Sequence, residues 1–194
     1  MNFERIDLHS IAPQPWSNGA GLTRQIAIGG AGAAFDWRFS VAEVDRDAPF
    51  SHLPGIDRCI VLLQGAGMWL RSDDGSIDHA LTEPLAPFRF PGEVALDATL
   101  IDGASSDFNV MTRRGVFRSE VKCHRGAAEL PGAAVTLLLC SAGEWVVDAD
   151  VQHPLAPLQA MLWREPLASV AVRPALPGKP AAVLLVRLCH DRGR

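Results

Sequence analysis

Alternating hydrophobic and polar positions run through most of the chain and predict strands rather than helices. In residues 35–42, every second side chain is aromatic or β-branched, which is the period of a strand with two unlike faces. Residues 59–63 are apolar at every position, a pattern typical of a strand buried on both faces. Such runs recur with turn residues roughly every eight to twelve positions, and no segment keeps a sustained helical period. The pattern therefore predicts an all-β sandwich or barrel.

The second half of the chain resembles a shorter copy of the first. Residues 135–145 repeat the order of residues 59–69, an apolar strand followed by a glycine turn and a tryptophan. Residues 154–158 then repeat the Pro-Leu-Ala-Pro of residues 84–88, in the same order relative to that strand. Two matches in register predict a duplicated β unit.

Composition and charge narrow the classes of partner. The 194 residues carry a formal charge of -4, and the lysines and arginines do not cluster, so the sequence indicates no nucleic-acid partner. No apolar run approaches the roughly 18 residues of a membrane-spanning helix, and the first residues lack the pattern of a signal peptide. These features predict a cytoplasmic protein with no membrane partner, and they leave a homodimer open.

The cysteines and histidines form no recognisable metal or nucleophile motif. The four cysteines include no CxxC pair and are interpreted as reduced, buried thiols. No two of the six histidines lie within five positions, and no nucleophile elbow or compact triad is present. A metal site assembled from distant histidines stays open, but we expect no metal and no cofactor.

Arg38 and Ser40 share one face of a strand whose other face is aromatic. If the aromatic face packs on a second sheet, Arg38 and Ser40 face solvent. If the sheet closes around a lumen, Arg38 needs a carboxylate partner or an anionic ligand, because a lone buried charge costs several kcal/mol. Asp57 and Arg58 admit the same two interpretations, with an internal ion pair favoured over a ligand clamp.

A second polar face lies on the strand predicted for residues 107–113. Its alternation puts Asn109, Met111 and Arg113 on one side. The Asn109 amide both donates and accepts hydrogen bonds, and Met111 is an adaptable apolar wall, which suits a small planar or carboxylated ligand. The simplest alternative for Met111 is a place in the core.

Five motifs in the same order resemble the HutD/Ves family, small bacterial proteins of the cupin superfamily. They read Trp16-x-Asn18-Gly19-x-Gly21-x-Thr23-Arg24, Trp37-Arg38-x-Ser40-x-Ala42, Phe50-Ser51-x-x-Pro54-Gly55-x-Asp57-Arg58, the turn at Gly65, and Asp107-Phe108-Asn109-x-Met111-x-Arg113-Arg114-Gly115. The resemblance implies a bicupin, with one barrel and the ligand site in residues 1–115 and a shorter barrel in residues 116–194. It also implies a connection with histidine utilisation, through intermediates such as urocanate or formylglutamate. Ala20 and Gln25 depart from the family, which often has glycine and an acidic residue there.

The sequence therefore predicts a metal-independent bicupin that binds a small carboxylate and regulates histidine utilisation. Arg38 is expected to pair with the carboxylate. The other candidate ligand-binding residues are Trp16, Asn18, Thr23, Ser40, Asp57, Arg58, Asn109 and Met111. The alternative is a metal-independent cupin enzyme, an isomerase or hydrolase acting on a small acid, with His52 and Asp57 as its acid–base pair. The balance favours binding, with no catalytic residue assigned.

Overall fold

A computed structural model describes residues 2–30 and 34–191, which form strands almost throughout. The strands of the first part are β1 (Glu4–Asp7), β2 (Gln14–Pro15), β3 (Gly21–Gly29), β4 (Trp37–Val44), β5 (Ala48–Pro49), β6 (Ile56–Gln64), β7 (Met68–Ser72), β8 (Asp78–Leu81), β9 (Pro87–Pro91), β10 (Leu96–Leu100) and β11 (Ser105–Arg113). The later strands are β12 (Phe117–His124), β13 (Ala128–Pro131), β14 (Val135–Ala142), β15 (Trp145–Asp148), β16 (Gln152–Leu155), β17 (Gln159–Trp163), β18 (Ser169–Pro174) and β19 (Ala182–His190).

Within these described residues the only helix is a 3-10 turn at Leu8–Ser10, so the predicted all-β class is confirmed. No helix in this part of the chain has the length and hydrophobicity to cross a bilayer.

One compact unit comprises residues 11–118 and Asp191. It contains a six-stranded sheet in the order β2-β3-β4-β11-β6-β9 and a four-stranded sheet in the order β5-β10-β7-β8. The side chains buried between these sheets come from both of them: Val44, Ile60, Leu62, Met68, Leu70, Leu81, Phe90, Leu96 and Ala98. Alternating strands thus bury one face each in a shared core, as in a two-sheet sandwich.

The other compact unit comprises residues 2–10 and 119–190. Its sheets have the orders β1-β17-β14-β19-β12 and β13-β18-β15-β16. Strand β1 belongs here because it pairs antiparallel with β17, with Glu4 opposite Leu162. The unit boundaries therefore differ from the predicted division into residues 1–115 and 116–194, since the first strand supplies a sheet edge to the later unit.

The two units repeat one strand order. The run β9-β6-β11-β4 of the first unit corresponds to β17-β14-β19-β12 of the second, and β5-β10-β7-β8 corresponds to β13-β18-β15-β16. This order supports the predicted duplication. Each unit nevertheless consists of two separate open sheets, so the two closed barrels of a bicupin are not confirmed.

The repeat has a different register from the one that the sequence match predicts. The amide of Leu85 donates to the carbonyl of Leu62, and the amide of Leu158 donates to that of Cys140. Leu85 and Leu158 are also the only non-glycine residues with positive φ in the described chain, at 66° and 60°. The structure thus matches Leu62 with Cys140, whereas the sequence match pairs it with Leu138.

Candidate functional site

A cavity of about 290 Å³ opens on one face of the six-stranded sheet. Strands β4, β6 and β11 supply its floor, because every second side chain of a strand points to the same face. The floor residues belong to three cross-strand rungs, each written in the order β4, β11, β6: Arg38–Met111–Arg58, Ser40–Asn109–Ile60 and Ala42–Asp107–Leu62. All of these residues line the cavity except Ile60 and Leu62, which are buried in the core. Successive rungs lie two residues apart, roughly 6.6 Å along the strand. The floor therefore runs from a cationic end to an acidic end.

Arg58 is the most deeply buried cation of this floor, with 7% of its surface exposed. Its guanidinium carbon lies 5.0 Å from the ring centroid of Phe50 and 4.9 Å from that of Phe90. The Nη1 group donates to the carbonyl of Ser51 and the Nη2 group to Oδ1 of Asn109, both at a long 3.4 Å. Its Nε has no hydrogen-bond partner within residues 2–30 and 34–191. The two rings hold the guanidinium in place, while its hydrogen-bonding capacity is only partly used.

Arg38 lies across β11 from Arg58 and is half-buried. Its Nη2 group contacts the sulfur of Met111 at 3.1 Å, and its buried Nε has no hydrogen-bond partner in the described part of the chain. Neither arginine forms an ion pair within 4.0 Å among the described residues.

Burial lowers the pKa of Arg38, and burial followed by the charge of Arg38 lowers the pKa of Arg58 to about 10. Two neighbouring cations that lack a counter-ion among the described residues form a site that suits an anion.

Asp107 is the functional candidate that sequence reasoning missed. Asp107 is fully buried and lines the cavity, and neither oxygen of its carboxylate has a hydrogen-bond partner among the described residues. Burial raises the pKa of Asp107 to about 7. The signal was in the alternation, because Asp107 precedes Asn109 by two residues and so shares its face.

The turn before β3 forms a further part of the cavity wall. Nε1 of Trp16 donates to the hydroxyl of Thr23 at 2.7 Å, which leaves the hydroxyl proton of Thr23 for another acceptor. Oδ1 of Asn18 accepts from the amide of Ala20 at 3.1 Å, and Gly19 has a φ of 70°, which glycine adopts without strain. The predicted turn at Asn18 thus presents Trp16 to the cavity.

All the predicted ligand-binding residues except Asp57 line the cavity. They are Trp16, Asn18, Thr23, Arg38, Ser40, Arg58, Asn109 and Met111. Besides Asp107, the residues that line the cavity but were not predicted to bind a ligand include Gln14, Gln25, Phe50 and Ser51.

The placement of Asp57 at the ligand site requires correction. Adjacent residues of a strand point to opposite faces, so Asp57 points away when Arg58 points in. Its carboxylate instead accepts hydrogen bonds from Arg114 at 2.7 and 2.9 Å, and Arg114 also pairs with Glu93. His52 is exposed and does not line the cavity either. The acid–base pair of the enzyme alternative is therefore not part of this cavity.

The described part of the chain contains no group of three histidine, cysteine, aspartate or glutamate side chains that could hold a metal ion. Its four cysteines are free; Cys59 and Cys140 are buried, as predicted, but Cys189 is exposed. Independence from metal stays a prediction, which removal of metal by a chelator can test.

Fold and site together define a cupin-fold protein with a polar cavity in one of its two units. The fold is similar to that of a cupin 2 conserved barrel domain protein from Leptotrichia buccalis, with a TM-score of 0.57 over 94% of this chain and 95% of that one at 10% identity. At that identity the likeness shows the fold alone.

The HutD family model matches residues 8–179, and the chain belongs to the HutD family. It is 32% identical over 164 residues to Protein Ves of Cronobacter sakazakii, covering 84% of this chain and 88% of that protein. A conserved protein of unknown function from Pseudomonas aeruginosa PAO1 has a TM-score of 0.86 at 29% identity, over 97% of this chain and all of that one. HutD from Pseudomonas fluorescens SBW25 has a TM-score of 0.84 at 26% identity, over 98% of this chain and all of that one.

Proposed function

We propose that this protein binds a small carboxylate in the cavity of its first unit and regulates histidine utilisation rather than catalysing one of its main steps. Membership of the HutD family supports the link with histidine utilisation. We further propose that each two-sheet unit is one cupin barrel, which makes the chain a bicupin. One observation carries the binding proposal: Arg38 and Arg58 both line the cavity and neither has a carboxylate partner among the described residues.

The chemistry of the cationic end fits a carboxylate group. A guanidinium presents parallel N–H groups that match the two oxygens of a carboxylate, and a partly desolvated site strengthens this pairing. Phe50 and Phe90 already hold Arg58 in position, so little side-chain entropy is lost when a ligand binds. Ser40, Asn109 and Thr23 supply neutral hydrogen-bonding groups around the ligand, and Trp16 and Met111 supply apolar walls.

Thermal unfolding with millimolar urocanate, formylglutamate, glutamate or histidine tests the proposal. A ligand at 100 times its Kd stabilises the fold by about 2.7 kcal/mol, which raises the Tm by a few degrees. Arg58→Gln should abolish the shift, because the truncated site loses its most buried cation. Arg71→Gln is the matched control, since Arg71 is exposed and pairs with Asp78 outside the cavity.

The result that contradicts the proposal is a shift that survives Arg58→Gln, or no shift with any of the acids. EDTA should leave the shift unchanged. If EDTA removes it, the site depends on a metal and the metal-independent reading is wrong.

A reaction on a small acid is the second candidate function, and Asp107 is the observation that favours it. A carboxyl group whose pKa is about 7 can both take and give a proton near neutral pH. NMR spectra of each acid incubated with the protein would show product signals that disappear with Asp107→Asn. Unchanged spectra over hours would leave binding as the function.

A further inference from the structure

We infer that Asp107 is the second recognition point of the cavity, and that it accepts a hydrogen bond from an N–H group of the ligand. The ligand is then a carboxylate that also carries an N–H donor, such as an imidazole, amide or ammonium group. This inference rests on the proposed function, because it assumes that Arg38 and Arg58 bind the carboxylate of the ligand and assigns Asp107 to the ligand's other end.

The unused hydrogen-bonding groups of the cavity are complementary at its two ends. In the part of the chain that the structure describes, Nε of Arg38 and Nε of Arg58 have no hydrogen-bond partner, so donors remain free at the cationic end. The same holds for both oxygens of Asp107, so acceptors remain free at the other end. A buried polar group without a partner destabilises the free protein, and a ligand that supplies the missing partner removes that penalty. A ligand with an anionic end and a donor end satisfies both sets.

Among the described residues, no side chain forms a hydrogen bond with either oxygen of Asp107. Its cross-strand neighbours are Ala42 on β4 and Leu62 on β6, which carry neither charge nor donor. Among the described residues that line the cavity, the other titratable side chains are Arg38 and Arg58, two rungs away, and neither contacts an oxygen of Asp107. The two side chains directly opposite Asp107 are thus apolar, and the nearest polar side chains of the floor, Ser40 and Asn109, lie one rung away.

The distance between the ends suits a small molecule. Asp107 and Met111 lie four residues apart on β11, so the acidic and cationic rungs are separated by about 13 Å along the strand. The Arg58 guanidinium reaches back to Asn109, on the middle rung. A ligand that spans the remaining gap needs only a few bonds between its carboxylate and its N–H group, which a cavity of about 290 Å³ accommodates.

A matched pair of probes isolates this contact. Urocanate and cinnamate share the same acrylate, but the imidazole of urocanate is replaced by a phenyl ring in cinnamate. By calorimetry at pH 7.5, the wild type should bind urocanate about tenfold more tightly than cinnamate, the value of one charge-assisted hydrogen bond. Asp107→Asn should reduce that preference, and Asp107→Leu, which removes every acceptor, should bring the two affinities within about twofold.

Two further variants separate the ends of the site. Arg58→Gln should weaken both probes alike, because both carry the carboxylate. Asp73→Asn, which changes an exposed acid outside the cavity, should change neither affinity.

Each outcome decides between the two proposals. If the wild type binds both probes equally, or if both Asp107 variants keep the preference, this inference is wrong and the carboxylate site stands. If glutarate binds more tightly than urocanate, the second end recognises another acid and the inference is also wrong. If neither probe binds in a manner that depends on Arg58, the proposed function itself fails. The wild-type comparison needs no variant, so a variant that does not fold leaves the test intact.

Discussion

At the scale of single residues, the buried ionisable side chains of Asp107 and Arg58 lower the stability of the unliganded protein. Both carry buried charge-bearing groups, and burial shifts the pKa of each toward its neutral form, upward for Asp107 and downward for Arg58. Natural folds retain such groups where function requires them. The cost should therefore be measurable in the unliganded protein.

Asp107 predicts a specific dependence of stability on pH. Its folded pKa of about 7 lies above the ordinary value of 3.8, so its stabilising contribution is complete below about pH 4 and is lost as the pH rises through 7. Asp107→Asn has no charge to bury and should remove this part of the slope. At pH 8 the variant should be more stable than the wild type by roughly 2 to 4 kcal/mol.

Urea unfolding of wild type and Asp107→Asn from pH 4 to 8 measures this difference. Taking the difference between the two proteins cancels the titration of all other groups, including His124. Asp73→Asn is the control, because it removes one exposed carboxylate without changing the cavity. Parallel curves for wild type and Asp107→Asn would show that Asp107 keeps an ordinary pKa.

At the scale of elements, the alternation of side chains along each strand predicted most of the residues of the site. It could not predict whether their shared face points to solvent or to a cavity. Alternation shows that Arg38 and Ser40 share a face, but it does not show whether that face points to solvent or to a cavity, which depends on distant strands. Asp57 and Arg58 were both predicted at the ligand site, although neighbouring residues on a strand face opposite sides. Asp107 was missed because a strand carboxylate ordinarily faces water.

The hairpin between β6 and β7 requires glycine at position 67, both for its backbone conformation and for lack of space. Gly67 has a φ of 88°, and a Cβ there would overlap the backbone carbonyl of Leu81. Gly75, in the next hairpin, has a φ of 71° but open space around the Cβ position. Gly67→Ala should therefore reduce the free energy of unfolding by about 3 kcal/mol, and Gly75→Ala by about 1 kcal/mol, in urea unfolding. Equal losses would mean that backbone conformation alone sets the cost.

At the scale of the whole molecule, the repeat shows how one fold supports both a core and a cavity. The hydrogen bonds of Leu85 and Leu158 fix the correspondence, which places Val183 and Leu185 of β19 where β11 has Asp107 and Asn109. Val183 and Leu185 are buried in the apolar core of their unit. The same pair of strands thus carries apolar rungs in one unit and polar rungs in the other. A sequence match of residues 59–69 and 84–88 could predict the duplication, but not this difference, because neither segment includes β11.

This difference predicts opposite effects of substitution in the two units. Arg58→Met replaces a buried cation without a carboxylate partner by an apolar side chain of similar length, so the free protein should gain about 1 kcal/mol of unfolding free energy. The same variant should lose the thermal shift with carboxylates. Leu138→Ala, in the core of the other unit, should lose about 2 to 5 kcal/mol and leave the ligand affinity unchanged.

Urea unfolding and calorimetric titration of the three proteins measure both quantities. The informative pattern is a stabilised protein that no longer binds, beside a destabilised one that still does. A loss of stability in Arg58→Met would show instead that the contacts of Arg58 with Phe50 and Phe90 outweigh its desolvation. In that case the cation would be a structural part of the first unit rather than a group kept for a ligand.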